Sequence, residues 1–520
     1  MSSSSVASLH TNPVSETSSH RHDHYHNHAS TSSHKVIIVG SGLAGLSAST
    51  ELISRDIPVH ILERQTKPGG NSIKASSGIN GVPTRFQIPG SDSIEEFYGD
   101  TLKSAGERPD TGEAREKLIS TLTYSSQAAI NWLVDEQGID LEKVALLGGH
   151  SKARTHRGAG NTPPGASIVL TLLKKLKESP LVTLETGVTV TQVLKREERV
   201  VGVKVKRAAG EADPEETATI DGPVIFASGG FAGDSKGYLK EFRPDLAGFP
   251  STNEALPGSQ GLLVDVGAQL LDMGEVQVHP TGFIDPNDRF KATKFLAAEV
   301  LRGEGGIMLN SEGKRFINEL QTRKVVTDTI TQTISPSNNE PLKQWDISLV
   351  LDEGVYEAAK SHVDFYIWKG LIKKTTIGDL GDASATALET IKRYAATAQS
   401  STTSPDLYDR TSFGHWSLQN PTPESTIYVG TVTPVVHYTM GGVVFNPEAE
   451  VLNARNRPIA GLWAAGEITG GLHGANRLGG SSLLECVVFG RIAAANAARY
   501  VEDRDRDTPI EDGDCCWESR

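Results

Sequence analysis

Residues 35–64 read KVIIVGSGLAGLSASTELISRDIPVHILER, and this stretch carries the clearest structural pattern in the chain. Four consecutive apolar residues at 36–39 predict a buried parallel strand. The glycine motif GSGLAG follows at once, and the apolar spacing after it predicts an amphipathic helix. A second strand, predicted over 59–62, ends at Glu63, which comes 18 residues after Gly45. This order of strand, glycine turn, helix, strand and acid is typical of a dinucleotide-binding βαβ unit.

Each glycine of the motif, and the acid that follows it, has a distinct expected role. Gly40 is expected to form the tight turn, Gly42 to let a pyrophosphate approach the backbone, and Gly45 to let helix and strand pack closely. The helix N-terminus faces the phosphates. Glu63 is expected to accept hydrogen bonds from the hydroxyl groups of the adenosine ribose. The alternative is a strand–helix turn that binds no ligand, which this full context disfavours.

A second loop distinguishes a flavin nucleotide from a nicotinamide one. Residues 68–81, PGGNSIKASSGING, form a Gly/Ser-rich stretch soon after the ribose acid. The isoalloxazine and ribityl groups of FAD need such backbone contacts further along the chain. Short apolar runs that end in glycines recur at 224–234 and 459–471. They predict one nucleotide domain assembled from both ends of the chain.

Composition excludes several classes of protein. The chain has 520 residues, which is too many for one ordinary domain, and its net charge of −13 disfavours a nucleic-acid partner. It has three cysteines and no C-x-x-C, so iron–sulfur clusters, c-type haem and cysteine-rich zinc sites have no ligand set. We therefore expect no metal site. No run approaches the ~20 apolar residues of a membrane span, so no membrane partner is expected.

The two ends of the chain differ in composition from the rest. Residues 1–34 are rich in Ser, Thr and His and are expected to be a disordered tail. Within them, HRHDHYHNH at 20–28 is either a solvated low-complexity segment or an adventitious Zn or Ni site. The tail resembles neither a secretory signal nor a transit peptide, so the cytoplasm is the first choice of location and the mitochondrion the second. Residues 501–520 are expected to be a solvated acidic tail, and the protein is expected to be a monomer.

Seven motifs, in order along residues 35–500, resemble those of soluble fumarate reductases of the fungal type, within the fumarate reductase/succinate dehydrogenase flavoprotein superfamily. The motifs are GSGLAGLSAS, PGGNS, ASGGF, HPTG, AAEVLRGEGGIMLNSEGKRFINELQTR, HYTMGGV and GLHGANRLGGSS. The resemblance implies an α/β fold in which a Rossmann-like FAD-binding domain carries an inserted α+β capping domain. The implied boundaries are 35–271 and 436–500 for the FAD-binding domain and 272–435 for the capping domain.

The resemblance also implies a set of cofactor contacts. The expected FAD-binding residues are Gly40, Gly42, Ala44, Gly45, Glu63, Arg64, Gly70, Asn71, Ser72, Ser76, Ser77, Gly78, Val188, Gly230, Tyr438, Glu467, Ser482 and Leu483. Asn71 stands where membrane-bound relatives carry the histidine that is linked covalently to FAD, so non-covalent FAD is expected. Tyr438 stands where bacterial relatives commonly have a second histidine that touches the flavin.

Reduction of fumarate requires a grip on two carboxylates while charge develops on the substrate. By resemblance, Arg477 and His437 hold one carboxylate and His279 holds the other. Arg477 lies in GLHGANRLGG, where the surrounding glycines leave room for a large ligand and the guanidinium fork matches a carboxylate. Taken singly, each arginine or histidine could instead be an ordinary ion-pair or polar residue.

Proton delivery is the second requirement of the reaction. The resemblance places Arg323 in the proton-donor position, with Glu299 and Arg302 as a relay. An arginine acid requires desolvation and neighbouring positive charge, because its free pKa lies above ~12. Arg323 could alternatively be a surface charge of the capping domain. Ala298 replaces a threonine common in the family, which removes one hydroxyl contact and leaves room for an altered substrate.

Two alternatives to fumarate reduction remain at this level. One is reduction or desaturation of another unsaturated acid or ketone, such as urocanate or a 3-ketosteroid. The other, from a different class, is a flavin-binding protein without catalysis, which would not need the set of cationic residues. The chain carries no second dinucleotide fingerprint for NADH, so the expected electron donor is a diffusible reduced flavin or another small carrier.

Overall fold

The computed structural model describes residues 35–507 except 107–111, 161, 208–215, 340 and 401–404. The N-terminal tail predicted over residues 1–34, with its histidine-rich segment, lies outside the described residues. The same holds for residues 508–520 of the predicted acidic tail.

The described residues form 21 strands and 13 α-helices. The strands are β1 Val36–Val39, β2 Val59–Glu63, β3 Ile79–Asn80, β4 Lys143–Ala145, β5 Thr155–Arg157, β6 Val182–Thr186, β7 Val188–Arg196, β8 Arg199–Arg207, β9 Glu216–Asp221, β10 Val224–Phe226, β11 Leu270–Leu271, β12 Val276–Phe283, β13 Phe295–Leu296, β14 Ile307–Leu309, β15 Ile347–Leu351, β16 Lys373–Thr376, β17 Thr426–Thr439, β18 Gly442–Val444, β19 Glu450–Leu452, β20 Pro458–Ala464 and β21 Thr469–Gly470. The helices are α1 Leu43–Ile53, α2 Ile94–Ala105, α3 Gly112–Tyr124, α4 Ser126–Asn131, α5 Pro164–Glu178, α6 Tyr238–Phe242, α7 Gln260–Val264, α8 Val300–Gly303, α9 Arg323–Thr333, α10 Glu353–Ala358, α11 Lys360–Trp368, α12 Ser384–Ala398 and α13 Ser481–Asp507.

The nucleotide domain is built on a nine-stranded sheet whose main path runs β6-β2-β1-β10-β20-β8-β7. Strand β1 pairs in parallel with β2 and with β10, and β10 pairs in parallel with β20. Because β20 comes from the C-terminal part of the chain, both ends of the chain build this sheet, as the glycine-terminated apolar runs predicted. All four residues of β1 are buried, which explains their continuous apolar run.

The turn between β1 and α1 depends on glycine at two positions. Gly40 has φ +106°, and a Cβ atom there would lie 2.4 Å from the carbonyl oxygen of Ala227. A Cβ atom on Gly45 would lie 2.1 Å from the carbonyl oxygen of Gly40. These contacts are far inside van der Waals separation, so only glycine allows α1 to start this close to the sheet.

A second, six-stranded sheet is inserted in sequence between β10 and β20. Its path is β13-β12-β17-β15-β14, with β16 paired to β17, and its pairs are antiparallel. It has a hydrophobic core of its own, separate from the core between α1 and α13. The fold is therefore a Rossmann-like domain with a second, α+β domain inserted into it, as the resemblance implies.

The predicted domain boundaries stay predictions. Strand β17 continues through the predicted boundary at residues 435 and 436, and α13 continues past residue 500. Among the residues that the structure describes, no helix has the length and apolar character needed to cross a membrane. Within the same residues, no group of three or more His, Cys, Asp or Glu side chains is arranged to hold a metal ion.

Candidate active site

A cavity of about 930 Å³ opens where the glycine turn, the second Gly/Ser-rich loop, the end of β17 and the loop before α13 meet. Of the eighteen residues predicted to contact the cofactor, all except Gly45 line this cavity. Gly45 lies behind the turn, where it allows α1 to pack against the backbone. Of the predicted catalytic residues, Arg323, His437 and Arg477 line the cavity, whereas His279, Glu299 and Arg302 are buried next to it.

The adenosine end of the cavity has the features that a dinucleotide requires. A Cβ atom on Gly42 would meet only the Ser72 hydroxyl, at 3.6 Å, so the backbone is open toward the cavity. Glu63 ends β2 on the cavity wall, and its Oε2 accepts a hydrogen bond from the Ser41 amide at 3.0 Å. Its Oε1 accepts from the Gln65 amide at 2.8 Å. A carboxylate can accept further bonds, so Glu63 remains able to receive ribose hydroxyls.

The second loop is fastened to the first turn. The Ser72 hydroxyl accepts a hydrogen bond from the Leu43 amide at 3.1 Å, and the Gly69 amide donates to the Ser41 hydroxyl at 3.1 Å. The Asn71 amide nitrogen donates to the Asn253 side chain. These contacts position the loop along the cavity, where FAD would follow it.

Strands β12 and β17 bring four functional side chains together. They pair antiparallel, with Gln277 opposite Tyr438 and His279 opposite Val435. Side chains two apart on a strand share a face, so Gln277 and His279 point to the same side of β12. The partner strand β17 carries His437 and Tyr438 close to its end at Thr439, and both line the cavity. The long strands of the inserted sheet thus reach into the nucleotide domain.

Arg323 and Arg477 converge on one oxygen atom. Arg323 Nη1 and Arg477 Nη2 each donate to Gln277 Oε1 at 2.9 Å. The Gln277 amide nitrogen donates back to the Arg477 carbonyl at 2.7 Å. Burial and then Arg323 lower the pKa of Arg477 to about 10, so the Arg477 guanidinium faces the site as a cation at neutral pH. Two buried cations around one acceptor oxygen form a ready carboxylate site.

Behind Arg323 lies the predicted relay. Arg323 Nε donates to Glu299 Oε2 at 2.7 Å, and the amide of Gly148 donates to Glu299 Oε1 at 2.8 Å. Burial by itself would raise the pKa of Glu299, but Arg323 and Arg302 outweigh it and lower the pKa below its usual value. Glu299 is therefore held as a buried carboxylate that is joined directly to the arginine facing the cavity.

Arg302 is buried close to this pair but is not bonded to it. Its Nη1 donates to the carbonyl oxygen of Glu319, while Nε and Nη2 have no hydrogen-bond partner among the described residues. Burial is the main cause that lowers its pKa. The structure thus places Arg302 near Glu299 without a direct contact between the two side chains.

The two predicted histidines are neighbours. The rings of His279 and His437 lie 5.4 Å apart, edge to face. Burial, followed by the charge of Arg323, lowers the pKa of both well below the usual value, so both are neutral. The Thr281 amide donates to His279 Nδ1 at 3.2 Å, which assigns the His279 proton to Nε2, an atom with no partner among the described residues.

Comparison with known proteins identifies the family. The family described as FAD binding domain matches residues 35–483. The chain is 44% identical to fumarate reductase 1 of Saccharomyces cerevisiae over 481 residues, which cover 89% of this chain and 98% of that protein. It is 37% identical to the fumarate reductase of Schizosaccharomyces pombe over 481 residues, with 89% of each chain covered. The chain belongs to the fumarate reductase family of FAD-binding flavoproteins.

A solved structure of the family agrees with the fold. The open conformation of a flavocytochrome c3 fumarate reductase superposes with a TM-score of 0.68 at 30% identity, covering 90% of this chain and 78% of that one. As a member of this family, the protein is an FAD-dependent oxidoreductase, which confirms the predicted cofactor and enzyme class.

Sequence reasoning missed Gln277 and the acid–base network below Tyr438. Gln277 precedes His279 by two residues, so the period of the strand could have indicated it. The Tyr438 hydroxyl donates to Glu485, whose other carboxylate oxygen lies 2.8 Å from His473 Nε2, and the Arg477 guanidinium lies 4.2 Å above the Tyr438 ring. Glu485 is an acid in an otherwise apolar stretch of α13, which is a signal that could have been noticed.

The predicted cofactor contact Glu467 is unusual among the carboxylates of the site. Its Oε1 accepts hydrogen bonds from the amide of Thr439 at 2.9 Å and from the Thr439 hydroxyl at 3.1 Å. Burial raises the pKa of Glu467 to about 7, and the nearby Glu485 adds to this effect. Near neutral pH, Glu467 can therefore donate or accept a proton at the cavity wall.

Proposed function

We propose that this protein reduces fumarate to succinate with non-covalently bound FAD, and that Arg323 supplies the proton. Reduced FAD, when bound, supplies the hydride. The observation that carries the proposal is the convergence of Arg323 and Arg477 on a single oxygen atom, with Glu299 bonded behind Arg323. The names of the relatives from S. cerevisiae and S. pombe support the same substrate.

The charge of the site favours a dicarboxylate over a neutral substrate. Arg477 and His437 would hold one carboxylate, and His279 would donate its Nε2 proton to the other. A carboxylate oxygen can take the place that Gln277 Oε1 has between the two guanidinium groups. Arg323 is paired with Glu299, whereas the hydrogen bonds of Arg477 go to the Gln277 side chain and the Leu478 carbonyl oxygen. A ketosteroid would therefore leave the buried Arg477 without a carboxylate partner, which is costly.

Arg323 is suited to deliver a proton because it contacts both sides of the transfer. It lies on the cavity wall at the first residue of α9, and its Nε is bonded to Glu299. After donation, Glu299 would return a proton to Arg323. Arg302 is the next member of the proposed relay, although its side chain lies near Glu299 without a direct contact.

Several sequence-based proposals concern the surroundings of the enzyme. They are a diffusible reduced flavin as the electron donor, a monomeric state, and the cytoplasm as location with the mitochondrion second. The domain boundaries at 271/272 and 435/436 belong with them. Asn71 in the place of a histidine supports non-covalent FAD: precipitation with acid should release yellow FAD into the supernatant, and flavin that stays with the pellet would contradict this.

The decisive test is anaerobic oxidation of reduced viologen by the purified holoenzyme with a panel of unsaturated acids. We expect fumarate to be reduced with by far the highest kcat/KM, and succinate to appear in equal molar amount to the fumarate consumed. A higher kcat/KM for urocanate or for a ketone would show that fumarate is not the substrate of this enzyme. Absence of turnover with every acid would favour the flavin-binding protein without catalysis.

A further inference from the structure

Three consecutive residues of the FAD-binding domain each contact a different catalytic segment. The Gly148 amide donates to Glu299 Oε1 at 2.8 Å, and the Gly149 amide donates to the carbonyl oxygen of Leu320 at 3.3 Å, three residues before Arg323. His150 Nε2 lies 2.9 Å from the carbonyl oxygen of Gly479, two residues after Arg477. The segment 148–150 therefore touches the relay acid, the approach to the proton donor and the carboxylate-binding loop.

The two glycines of this segment have no room for a side chain. A Cβ atom on Gly148 would lie 2.8 Å from the Gln321 carbonyl oxygen and 2.9 Å from Glu299 Oε1. Gly149 has φ +81°, and its Cβ atom would lie 3.0 Å from Leu478. The backbone of 148–149 is therefore in close van der Waals contact with Glu299, with residues 321–322 and with Leu478. Because the packing is close, a displacement of one of these segments would displace the others.

The ring of His150 is held in place by a buried arginine, Arg154. Arg154 is fully buried, binds both carboxylate oxygens of Asp92 at 2.7 and 2.9 Å, and donates to Asp100 at 2.5 Å. Its Nη1 also lies 3.3 Å from His150 Nδ1. Because a guanidinium can only donate, His150 Nδ1 accepts and Nε2 carries the proton that is donated to Gly479.

Gly479 contacts several parts of the site at once. Its carbonyl oxygen accepts a second hydrogen bond from the Asn80 amide at 2.8 Å, and a Cβ atom on Gly479 would lie 3.1 Å from both Arg323 Nη2 and Glu299 Oε2. A shift of Gly479 would consequently move the loop that carries Arg477 and would also change the space available to Arg323 and Glu299. Burial, together with Arg154, lowers the pKa of His150 to about 4, so its single donated proton is constant over the working pH range.

We propose that the segment 148–150 is a positioning element of the reaction, in which His150 fixes the carboxylate-binding loop while the Gly148 amide fixes the relay acid. His150 is a positioning residue, since it acts through Gly479 rather than on the substrate. The inference rests on the proposed reduction of fumarate, and it adds a role for residues that the sequence motifs did not indicate.

The first test compares His150→Ala with His150→Gln in the holoenzyme. We expect His150→Ala to lower kcat/KM for fumarate by about tenfold to a hundredfold, the loss typical of a displaced catalytic group. In His150→Gln, the side-chain amide can donate to Gly479, so most of the activity should return. Equal kinetics for His150→Ala and the unmodified enzyme would overturn the proposal.

A pH profile separates positioning from general damage. Glu299 is faced by Arg323, Arg302 and His150, and the Gly148 amide stabilises its charged form. If His150→Ala loosens the segment, Glu299 loses that hydrogen bond and its pKa rises. The limb of the kcat profile that reports Glu299 should therefore move to higher pH, and an unmoved limb would contradict the proposal.

The matched control is His60→Ala. His60 is similarly buried, at 6% exposure against 9% for His150. It lies on β2, and its ring contacts Glu185 and Lys35 and none of the segments that carry Glu299, Arg323 or Arg477 in the hydrogen bonds of the described residues. It should lower the melting temperature without changing the kinetics or the pH profile. The same kinetic loss in His60→Ala would show that destabilisation alone accounts for the result.

A second pair of variants guards against misfolding of His150→Ala. Gly148→Ala places a methyl group against Glu299 and should reduce kcat at full FAD content. Gly160→Ala, with open space around its Cβ position, should be unaffected. Equal kcat values for these two variants would overturn the role of Gly148.

Binding of fumarate to the oxidised holoenzyme, measured through the visible flavin spectrum, requires no turnover. An inactive but fumarate-binding unmodified protein would refute the proposed function alone. In that case the positioning role is tested by fumarate binding alone. Weaker binding to His150→Ala, by about tenfold to a hundredfold, together with unchanged binding to His60→Ala would support it. Unchanged binding to His150→Ala would overturn it.

Discussion

The glycine turn of residues 35–64 and the arginine cluster at Gln277 are built in opposite ways. Most of what the turn needs lies within one short stretch: a buried strand, a glycine at 45 whose Cβ atom would overlap the Gly40 carbonyl oxygen, and an acid at the end of the next strand. Only the close approach of Gly40 to Ala227 comes from a distant segment. The cluster instead joins Gln277 to arginines that are 46 and 200 residues further along the chain. The first is determined by local sterics, whereas the second exists only when two domains have packed.

This difference predicts how each region fails. A substitution in the cluster should abolish chemistry and leave the cofactor bound, because Gln277, Arg323 and Arg477 are not among the predicted FAD contacts. A substitution in the turn should affect folding or cofactor binding and leave the chemistry of any loaded molecule intact. The following expected outcomes test that contrast, from the largest effect to the smallest.

Arg323→Ala should remove about 10²–10⁴-fold of the rate at which fumarate reoxidises the reduced enzyme, the usual contribution of a positioned acid. It also leaves Glu299 as a buried carboxylate without its partner, so stability should fall by about 3–5 kcal/mol. Arg323→Lys should keep a small residual rate, because lysine retains a removable proton but not the planar fork. Stopped-flow reoxidation measures the rate.

The control for that variant is Arg289→Ala, which removes a half-exposed ion pair with Asp346 and should change neither rate nor FAD content. Reoxidation of Arg323→Ala at the normal rate would show that the proton comes from another group. Arg302 would then be the next residue to test.

Arg477→Met removes a charge-assisted carboxylate partner that is worth about 2–5 kcal/mol when buried. KM for fumarate should rise and kcat should fall, since the same guanidinium stabilises charge that develops in the reaction. Steady-state kinetics and the ratio of flavin to protein absorbance provide the two measurements. FAD content should remain close to that of the unmodified enzyme; a colourless protein would mean that Arg477 belongs to the cofactor site instead.

Gly45→Ala tests the local region. The new methyl group would overlap the carbonyl oxygen of Gly40, and overpacking of this kind costs about 1–3 kcal/mol. Gly42→Ala makes a useful contrast, because its methyl group has space in the protein but points toward the place of the pyrophosphate. We expect Gly45→Ala to lower the melting temperature and Gly42→Ala mainly to lower FAD content. The same outcome for both would show that steric fit and cofactor approach are not separable here.

Glu467→Gln should have the smallest effect, and it should depend on pH. The folded-state pKa of about 7 lies above the usual value for a glutamate, so the native protein binds this proton more tightly than the unfolded chain does. The unmodified protein therefore loses stability as pH rises through 7, whereas the glutamine variant does not. Between pH 6 and pH 8, the difference in unfolding free energy should shift by about 1 kcal/mol in favour of the variant. Chemical denaturation at the two pH values measures it, and a constant difference would contradict the shift.

Much of the fold could be predicted from the amino-acid sequence. The spacing of Gly40, Gly42, Gly45 and Glu63 predicted the βαβ unit, and α1 and β2 occur where the pattern placed them. Local sterics and hydrogen bonding determine such a unit, so a short window contains the information. The motifs also named Arg323, His437 and Arg477, which line the cavity, and His279, which is buried next to it.

What the linear pattern could not supply was distance between segments. It placed Arg302 and Glu299 in one relay, yet only Glu299 is bonded to Arg323, because α8 directs the Arg302 side chain to the carbonyl oxygen of Glu319. It gave no sign that Gln277 lies between two arginines.

The amino-acid pattern alone indicated the nucleotide-binding unit, the cofactor class and the chemical types of the candidate active-site residues, since these depend on local spacing and side-chain chemistry. Only the three-dimensional packing shows that Arg323 and Arg477 share one oxygen atom, that His279 and His437 are neutral, and that the segment 148–150 contacts Glu299 and the segments that carry Arg323 and Arg477. Those properties depend on burial and on contacts between distant parts of the chain, which arise only when the inserted sheet packs against the nucleotide domain.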